Sequence, residues 1–161
     1  MRLYIRHAER VHANGKDGHH SHDSPITERG REEARANARY LMDVYGKPSR
    51  IVASPFLRTR QTADEMAQAI GLDSIEIDNG IGEFLGNWPN ESVRLSPETL
   101  RYRPWFGENM YELHLRVCRH LADAEKTDNV WYITHGIIIS EISKITTGKR
   151  CKPKTLEHII F

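Results

Sequence analysis

The chain predicts an α/β fold with a largely parallel sheet, and three observations carry that prediction. Apolar runs of strand length, at Leu3 to Ile5, Ile51 to Ala53, Ile75 to Ile77, Val130 to Thr134 and His158 to Phe161, are spread along the sequence. Between them lie longer stretches whose apolar residues recur every three or four positions, as on one face of a helix. Such alternation of strand and helix marks βα units, whose crossover helices leave neighbouring strands parallel. At 161 residues the chain makes one domain, large enough to bury about two-thirds of its unfolded surface without disulfide or metal support.

Each helix follows from its own signals. Thr27 is placed to cap the first, whose stripe is Ala34, Ala38, Leu41 and Tyr45 and which Gly46 and Pro48 stop. The second carries Ala63, Met66, Ala67 and Ile70 at i, i+3, i+4 and i+7, with Gly71 suited to a left-handed cap. A third, from about Glu108 to Lys126, repeats the pattern through Met110, Leu113, Val117 and Leu121. The fourth starts at Ile137, presents Ile138, Ile142 and Ile145, and ends at Gly148. These stripes are core.

Composition excludes several classes. A net charge of +1, with acidic and basic residues well mixed, supplies no basic field for nucleic acid. No apolar run reaches membrane-spanning length and none resembles a signal peptide, so neither membrane association nor export is expected. The two cysteines, Cys118 and Cys151, match neither a disulfide framework nor a zinc spacing and read as free thiols of a cytoplasmic protein.

The chemistry is concentrated at the ends of the strand-like runs. The first ends in Arg6-His7-Ala8-Glu9-Arg10. Neighbouring guanidiniums disfavour an imidazolium, so His7 is expected neutral and nucleophilic beside charge that attracts an anion. The alternative, for this segment alone, is a solvated basic turn. Arg58 stands at a strand-to-helix junction within Ser54-Pro55-Phe56-Leu57-Arg58-Thr59-Arg60-Gln61-Thr62-Ala63. His135, in Thr134-His135-Gly136, directly precedes a helix whose free N–H groups favour anions. Glu83 follows the turn Asp78-Asn79-Gly80 as a loop carboxyl. In open α/β sheets such groups gather at the carboxyl ends of strands.

These segments resemble the histidine phosphatase superfamily, the phosphoglycerate mutase-like proteins. The family's Arg-His-Gly stands here as Arg6-His7-Ala8, its Leu-Thr and Gly as Ile26-Thr27 and Gly30, its Ser-Pro, Arg and Gln-Thr-Ala as Ser54-Pro55, Arg58 and Gln61-Thr62-Ala63, and its Thr-His-Gly as Thr134-His135-Gly136. The order is the family's own and covers nearly the whole chain. The run Arg6 to Val11, the stretch Ser24 to Thr27 and Gly82-Glu83-Phe84 ahead of Trp88 resemble most the group of suppressors of T-cell receptor signalling. The departure is Ala8 for Gly, whose methyl is expected to narrow the pocket.

The resemblance implies a three-layer αβα sandwich and a metal-independent phosphomonoesterase with no cofactor. His7 would form a phosphohistidine, Arg6, Arg10, Arg58 and His135 would bind the phosphoryl oxygens, and Glu83 would be the general acid, with a carboxyl pKa raised beside bound phosphate. Glu9 is expected to pair with an arginine. The implied partner is a phosphorylated small molecule or phosphoprotein. The rivals are a protein phosphohistidine phosphatase, a mutase-type phosphotransferase and a non-catalytic phosphate-binding module.

Two loops leave choices open. The stretch from His12 to His22, with His19, His20 and Asp23, is rich in Gly, Asn and Ser and reads as a loop bordering the substrate rather than a metal site. The connection from Phe84 to Gly107 carries Trp88, Tyr102, Trp105 and Phe106 among Arg94, Arg101 and Arg103. Its aromatics either form a lid over an aryl phosphate or pack onto the core.

Overall fold

The computed structural model describes residues 1–11, 22–86, 95–124 and 129–161. Its strands are β1 (Arg2–Arg6), β2 (Arg50–Ala53), β3 (Glu76–Ile77), β4 (Val130–Thr134) and β5 (His158–Ile160), and its helices α1 (Glu28–Tyr45), α2 (Leu57–Ala69), α3 (Pro97–Arg101), α4 (Met110–Asp123) and α5 (Gly136–Thr147). A 3-10 turn spans Asn79–Ile81. The sheet runs β3-β2-β4-β1-β5, parallel throughout except for β5, which pairs antiparallel with β1. The expected α/β class is the one found.

Strand alternation distributes the core to two faces. Leu3, Ile5, Ile51, Ala53, Trp131 and Ile133 pack with the inward residues of α1 and α2, while Tyr4, Val52, Val130 and Tyr132 pack with those of α4 and α5. The result is three layers, α1 and α2 over one face and α4 and α5 over the other. Because both faces are covered, β4 is buried at all five positions. Among the described residues no helix is long and apolar enough to cross a membrane.

Local chemistry sets the boundaries. Thr27 caps α1 by accepting from the Gly30 N–H, and Gly148 closes α5 in the left-handed conformation at φ 77°. Asn109 and Glu112 form a capping box that starts α4 after Glu108, and the expected end at Lys126 lies outside the described residues. Met110 departs from the expected stripe. It occupies the first helical position at 43% exposure, because the inward face of α4 is taken by Leu113, Arg116, Val117 and His120.

The connection after Glu83 also departs from a plain loop. Ser96 and Pro97, a side-chain cap followed by Pro at the first helical position, start the short α3. The lid reading does not hold for its described part. Phe106 packs on Phe56, Leu85 and Leu95, while Trp105 lines a separate cavity against α4. Trp88 and Arg94 lie outside the described residues.

Gly30 sets how closely α1 approaches the chain following β1. A Cβ there would stand 2.6 Å from the carbonyl oxygen of Glu9. Alanine gains about 1 kcal/mol over glycine in helix propensity, but overpacking against backbone costs about 1–3 kcal/mol. Gly30→Ala is expected to destabilise the protein, read as a lower denaturant midpoint at unchanged slope.

Candidate active site

The carboxyl ends of β1, β2, β3 and β4 all open on one side of the sheet, and each delivers a polar group there. His7 follows β1, Ser54 follows β2, Glu83 follows β3 and its 3-10 turn, and His135 follows β4. Arg58, in the first turn of α2, completes the group. A cleft of about 410 Å³ is lined by Arg6, His7, Arg10, Arg58 and Glu83, and on its other wall by Gly136, Ile137, Ser140 and Cys151–Pro153. A larger cavity of about 520 Å³, around Arg50, Trp105 and His120, holds none of these catalytic candidates.

His7 is 5% exposed, and its Nδ1 lies 2.7 Å from the Ala8 carbonyl oxygen. A carbonyl only accepts, so Nδ1 carries the proton and Nε2 keeps its lone pair. Burial, aided by Arg58 and His135, pushes the imidazole pKa well below its ordinary value, which keeps the ring neutral. The amide of His7 donates to Thr134 O at 3.0 Å and that of Ala8 to Thr62 Oγ1 at 3.1 Å. The strand end is thereby tied to both β4 and α2.

Arg58 is 2% exposed and serves three acceptors: His22 O at 2.9 Å, Glu83 Oε2 at 2.8 Å and His135 Nδ1 at 3.0 Å. Since a guanidinium only donates, neutral His135 accepts at Nδ1 and gives its Nε2 proton to Ser54 Oγ, 2.7 Å away. Protonated His135 would turn Nδ1 towards Glu83 Oε2, at 3.2 Å. Arg6 sends Nη1 to the carbonyl of Pro153 at 2.8 Å, and the Nε atoms of Arg6 and Arg58 are buried without an acceptor among the described residues. An anion in the cleft adds acceptors beside donors of this kind.

Two protonation states differ from the bound-state expectation. Burial works against ionisation of Glu83, but His135 and the Arg58 guanidinium overcome it and hold the carboxyl well below the usual carboxylate range. Burial also lowers His135 to about 4, only partly opposed by Glu83. Arg58 is therefore the charge that keeps Glu83 ionised at neutral pH. With these neighbours alone Glu83 is a carboxylate and His135 is neutral.

This ionisation pattern has a stability consequence. The unfolded chain takes up the His135 proton near 6.5 and the folded chain only near about 4. Between those values the unfolded state binds more protons, so lowering the pH through this window costs on the order of 3 kcal/mol. The depressed Glu83 pKa has the same sign, its contribution being present above the ordinary carboxylate value and lost below it. Thermal unfolding at stepped pH is expected to show Tm falling from about 6.5 downwards, and falling less in His135→Asn.

Some residues stand elsewhere than expected. The Ala8 methyl is fully buried in the core beside Ile26 and Ala34 and does not line the cleft, so it does not narrow the pocket. Nor is Ala8 among the residues with positive φ. Among the described residues Glu9 forms no direct ion pair with an arginine; its carboxylate accepts from the Thr27 hydroxyl at 2.9 Å, and its charge is felt by Arg29. Arg10 lines the cleft and its backbone bridges to Ile26. His12, His19 and His20 lie outside the described residues.

Asp23 supports the site and was not singled out for this role by sequence. It is 2% exposed and accepts from the Leu57 amide at 2.7 Å and the Ser96 amide at 3.0 Å. It thus caps the helix start that carries Arg58, where Phe56 offers no side-chain cap. An Asp-Ser-Pro run is the one local signal for such a cap, but its partner amides are distant in sequence.

A largely parallel α/β sandwich with two histidines and buried arginine at its strand ends defines a class, and the family comparison agrees. Residues 3–152 match the histidine phosphatase superfamily (branch 1), and the chain belongs to that superfamily. Among curated relatives, the mitochondrial serine/threonine-protein phosphatase Pgam5 of Drosophila persimilis is 30% identical over 149 residues, covering 85% of this chain and 47% of the relative. The chain spans from about a quarter to about half of the length of the curated relatives it matches. Among solved structures, a phosphoserine phosphatase from Entamoeba histolytica, in complex with 3-phosphoglyceric acid, superposes with a TM-score of 0.69 at 17% identity, covering 98% of this chain and 87% of that one. The ecdysone phosphate phosphatase of Bombix mori, in complex with tungstate, gives 0.68 at 20% identity, with 99% and 82% covered. At those identities the likeness is one of fold.

Proposed function

We propose that the chain hydrolyses phosphomonoesters through a phosphohistidine on His7, without a metal ion. The observation that carries the reading is the Nδ1 bond of His7 to Ala8 O, which leaves Nε2 unprotonated in a cleft walled by arginines. Nε2 attacks phosphorus as the ester P–O bond breaks, and Arg6, Arg10 and Arg58 hold the equatorial oxygens. The bound dianion engages Arg58 and adds its own negative charge. Both changes raise the Glu83 pKa, so that Glu83 protonates the leaving oxygen and then takes a proton from the water that breaks the P–N bond. The same charge favours protonation of His135, which then donates to the phosphoryl group.

Membership of the superfamily and the phosphatases among the structural neighbours support the reaction class. The Arg6 to Arg10 run favours kinship with the suppressors of T-cell receptor signalling, and the wall formed by Ile137, Ser140 and Lys152 is where the leaving group would rest. A phosphorylated small molecule or phosphoprotein is the corresponding substrate. The free thiols of Cys118 and Cys151 suit a cytoplasmic location. The test is hydrolysis of p-nitrophenyl phosphate in EDTA with alkaline, denaturing quench of the working enzyme. Turnover with an acid-labile, base-stable phosphoprotein supports the reading, and turnover abolished by EDTA and restored by a divalent ion overturns it.

A further inference from the structure

Arg116 lies on the inward face of α4 at 6% exposure and does not line the phosphate cleft. Its Nε and Nη2 meet the two carboxylate oxygens of Glu108 at 2.7 and 2.8 Å, and Glu108 is itself 5% exposed. The third nitrogen, Nη1, donates to the carbonyl oxygens of Gly80 at 2.9 Å and Gly82 at 3.0 Å, with that of Asn79 at 3.4 Å. The remaining carbonyl of this turn, Ile81 O, accepts from Thr134 Oγ1 at 2.7 Å. Every carbonyl from Asn79 to Gly82 is therefore held by a side chain, and Glu83 is the next residue.

The grip on this turn is double. One helical turn beyond Arg116, His120 Nδ1 lies 2.8 Å from Asp78 Oδ2, and Asp78 Oδ1 accepts from the Gly80 amide at 2.6 Å. A buried ion pair adds little stability over packed apolar residues, so the value of this one lies in what its fork orients. Bidentate pairing fixes the guanidinium plane, and the plane fixes where the carbonyls stand.

We propose that Arg116, held by Glu108, is the positioning residue for Glu83. It sets the turn that places the carboxyl between Arg58 and His135 and so aligns the proton with the leaving oxygen. The proposal rests on Glu83 being the general acid. A proton donor matters most when the leaving group is poor, so displacing it penalises alkyl esters more than activated aryl esters. Loss of folded protein would instead lower all substrates in one proportion.

The experiment compares kcat/KM for glycerol 2-phosphate and p-nitrophenyl phosphate in the wild type, Arg116→Met, Arg116→Lys, Glu83→Gln and the double variant Arg116→Met/Glu83→Gln. Arg116→Met is expected to lower kcat/KM, which reports the first phosphoryl transfer, about tenfold more for glycerol 2-phosphate than for p-nitrophenyl phosphate. Arg116→Lys, which keeps a cation for the carbonyls, is expected to retain part of the difference. Because Met at 116 strands the Glu108 carboxylate, the paired replacement Arg116→Met/Glu108→Met is read alongside and is expected to discriminate as Arg116→Met does. In the Glu83→Gln background the Arg116 change is expected to add no further discrimination. Equal loss on both substrates, or discrimination undiminished without Glu83, overturns the proposal while leaving the phosphatase reading standing. A Glu83→Gln enzyme that itself fails to discriminate removes the acid role and the proposal together.

Discussion

His7→Ala is expected to abolish turnover of p-nitrophenyl phosphate, by about 10⁴-fold or more, because no other group among the described residues is placed to take up the phosphoryl. His135 cannot substitute. Its Nε2 faces Ser54 Oγ and its Nδ1 faces Arg58 and Glu83, so neither nitrogen offers a free lone pair to the cleft. The methyl of alanine leaves the Arg6 and Arg58 donors in place, so the variant is expected to keep binding inorganic phosphate within about tenfold of the wild type. Stopped turnover with binding preserved separates a nucleophile from a group that merely holds the ligand, and calorimetric titration with phosphate reads the second quantity. Turnover persisting above a tenth of wild type would sink the phosphohistidine mechanism. A wild type that binds phosphate and never turns over would leave the binding-module reading.

Glu83→Gln is expected to lower kcat/KM for alkyl phosphates by about 10² to 10⁴-fold, the range usual for loss of general acid catalysis. Glutamine retains the acceptor oxygen near Arg58 and the shape of the side chain but cannot release a proton. The kcat/KM of a phosphoramidate, whose nitrogen leaves readily, is expected to fall less than about tenfold in the same variant, because that ratio reports phosphoryl transfer to His7 and not the later hydrolysis. The contrast between the two substrates is the measurement, since a collapsed cleft would lower both. Should phosphoramidate turnover in the wild type greatly exceed ester turnover, the phosphohistidine phosphatase alternative gains. The ion pair with Arg58 at 2.8 Å also predicts an effect on stability. Removing the carboxylate leaves Arg58 buried with less compensation, so the variant is expected to lose stability in the absence of phosphate and regain part of it when phosphate is added.

Much of this architecture can be read from the chain because the signals are local. Leu3, Ile5, Ile51, Trp131 and Ile133 announce strands by composition and length, and Thr27, Gly46 and Gly148 punctuate helices through their own backbone preferences. The strand ends with Arg6-His7 and Thr134-His135 carry their chemistry in contiguous residues. The features that escaped are those whose partners are far away in sequence. Asp23 looks like loop composition until Leu57 and Ser96 present their amides to it, and Arg116 looks like a solvated helix residue until Glu108 and the 79–82 carbonyls surround it. Met110 shows the opposite error. Its spacing fits the apolar stripe, but a first-turn position at the rim of α4 has no core to face. The ionisation of Glu83 was out of reach for a related reason: the guanidinium that sets it comes from 25 residues upstream and stands beside it only once α2 and β3 have docked.

The two halves of the site stand on foundations of different kinds. β1 is hydrogen-bonded along both edges, to β4 on one side and β5 on the other, so the nucleophile sits on a frame that gives way only when the whole sheet does. The acid rides on a turn secured by individual side-chain donors from α4 and β4. Substitutions among those donors can retune proton delivery one contact at a time without disturbing the strand that carries His7. Divergence along such a lineage can therefore shift the range of leaving groups while the phosphoryl-accepting step stays as it is.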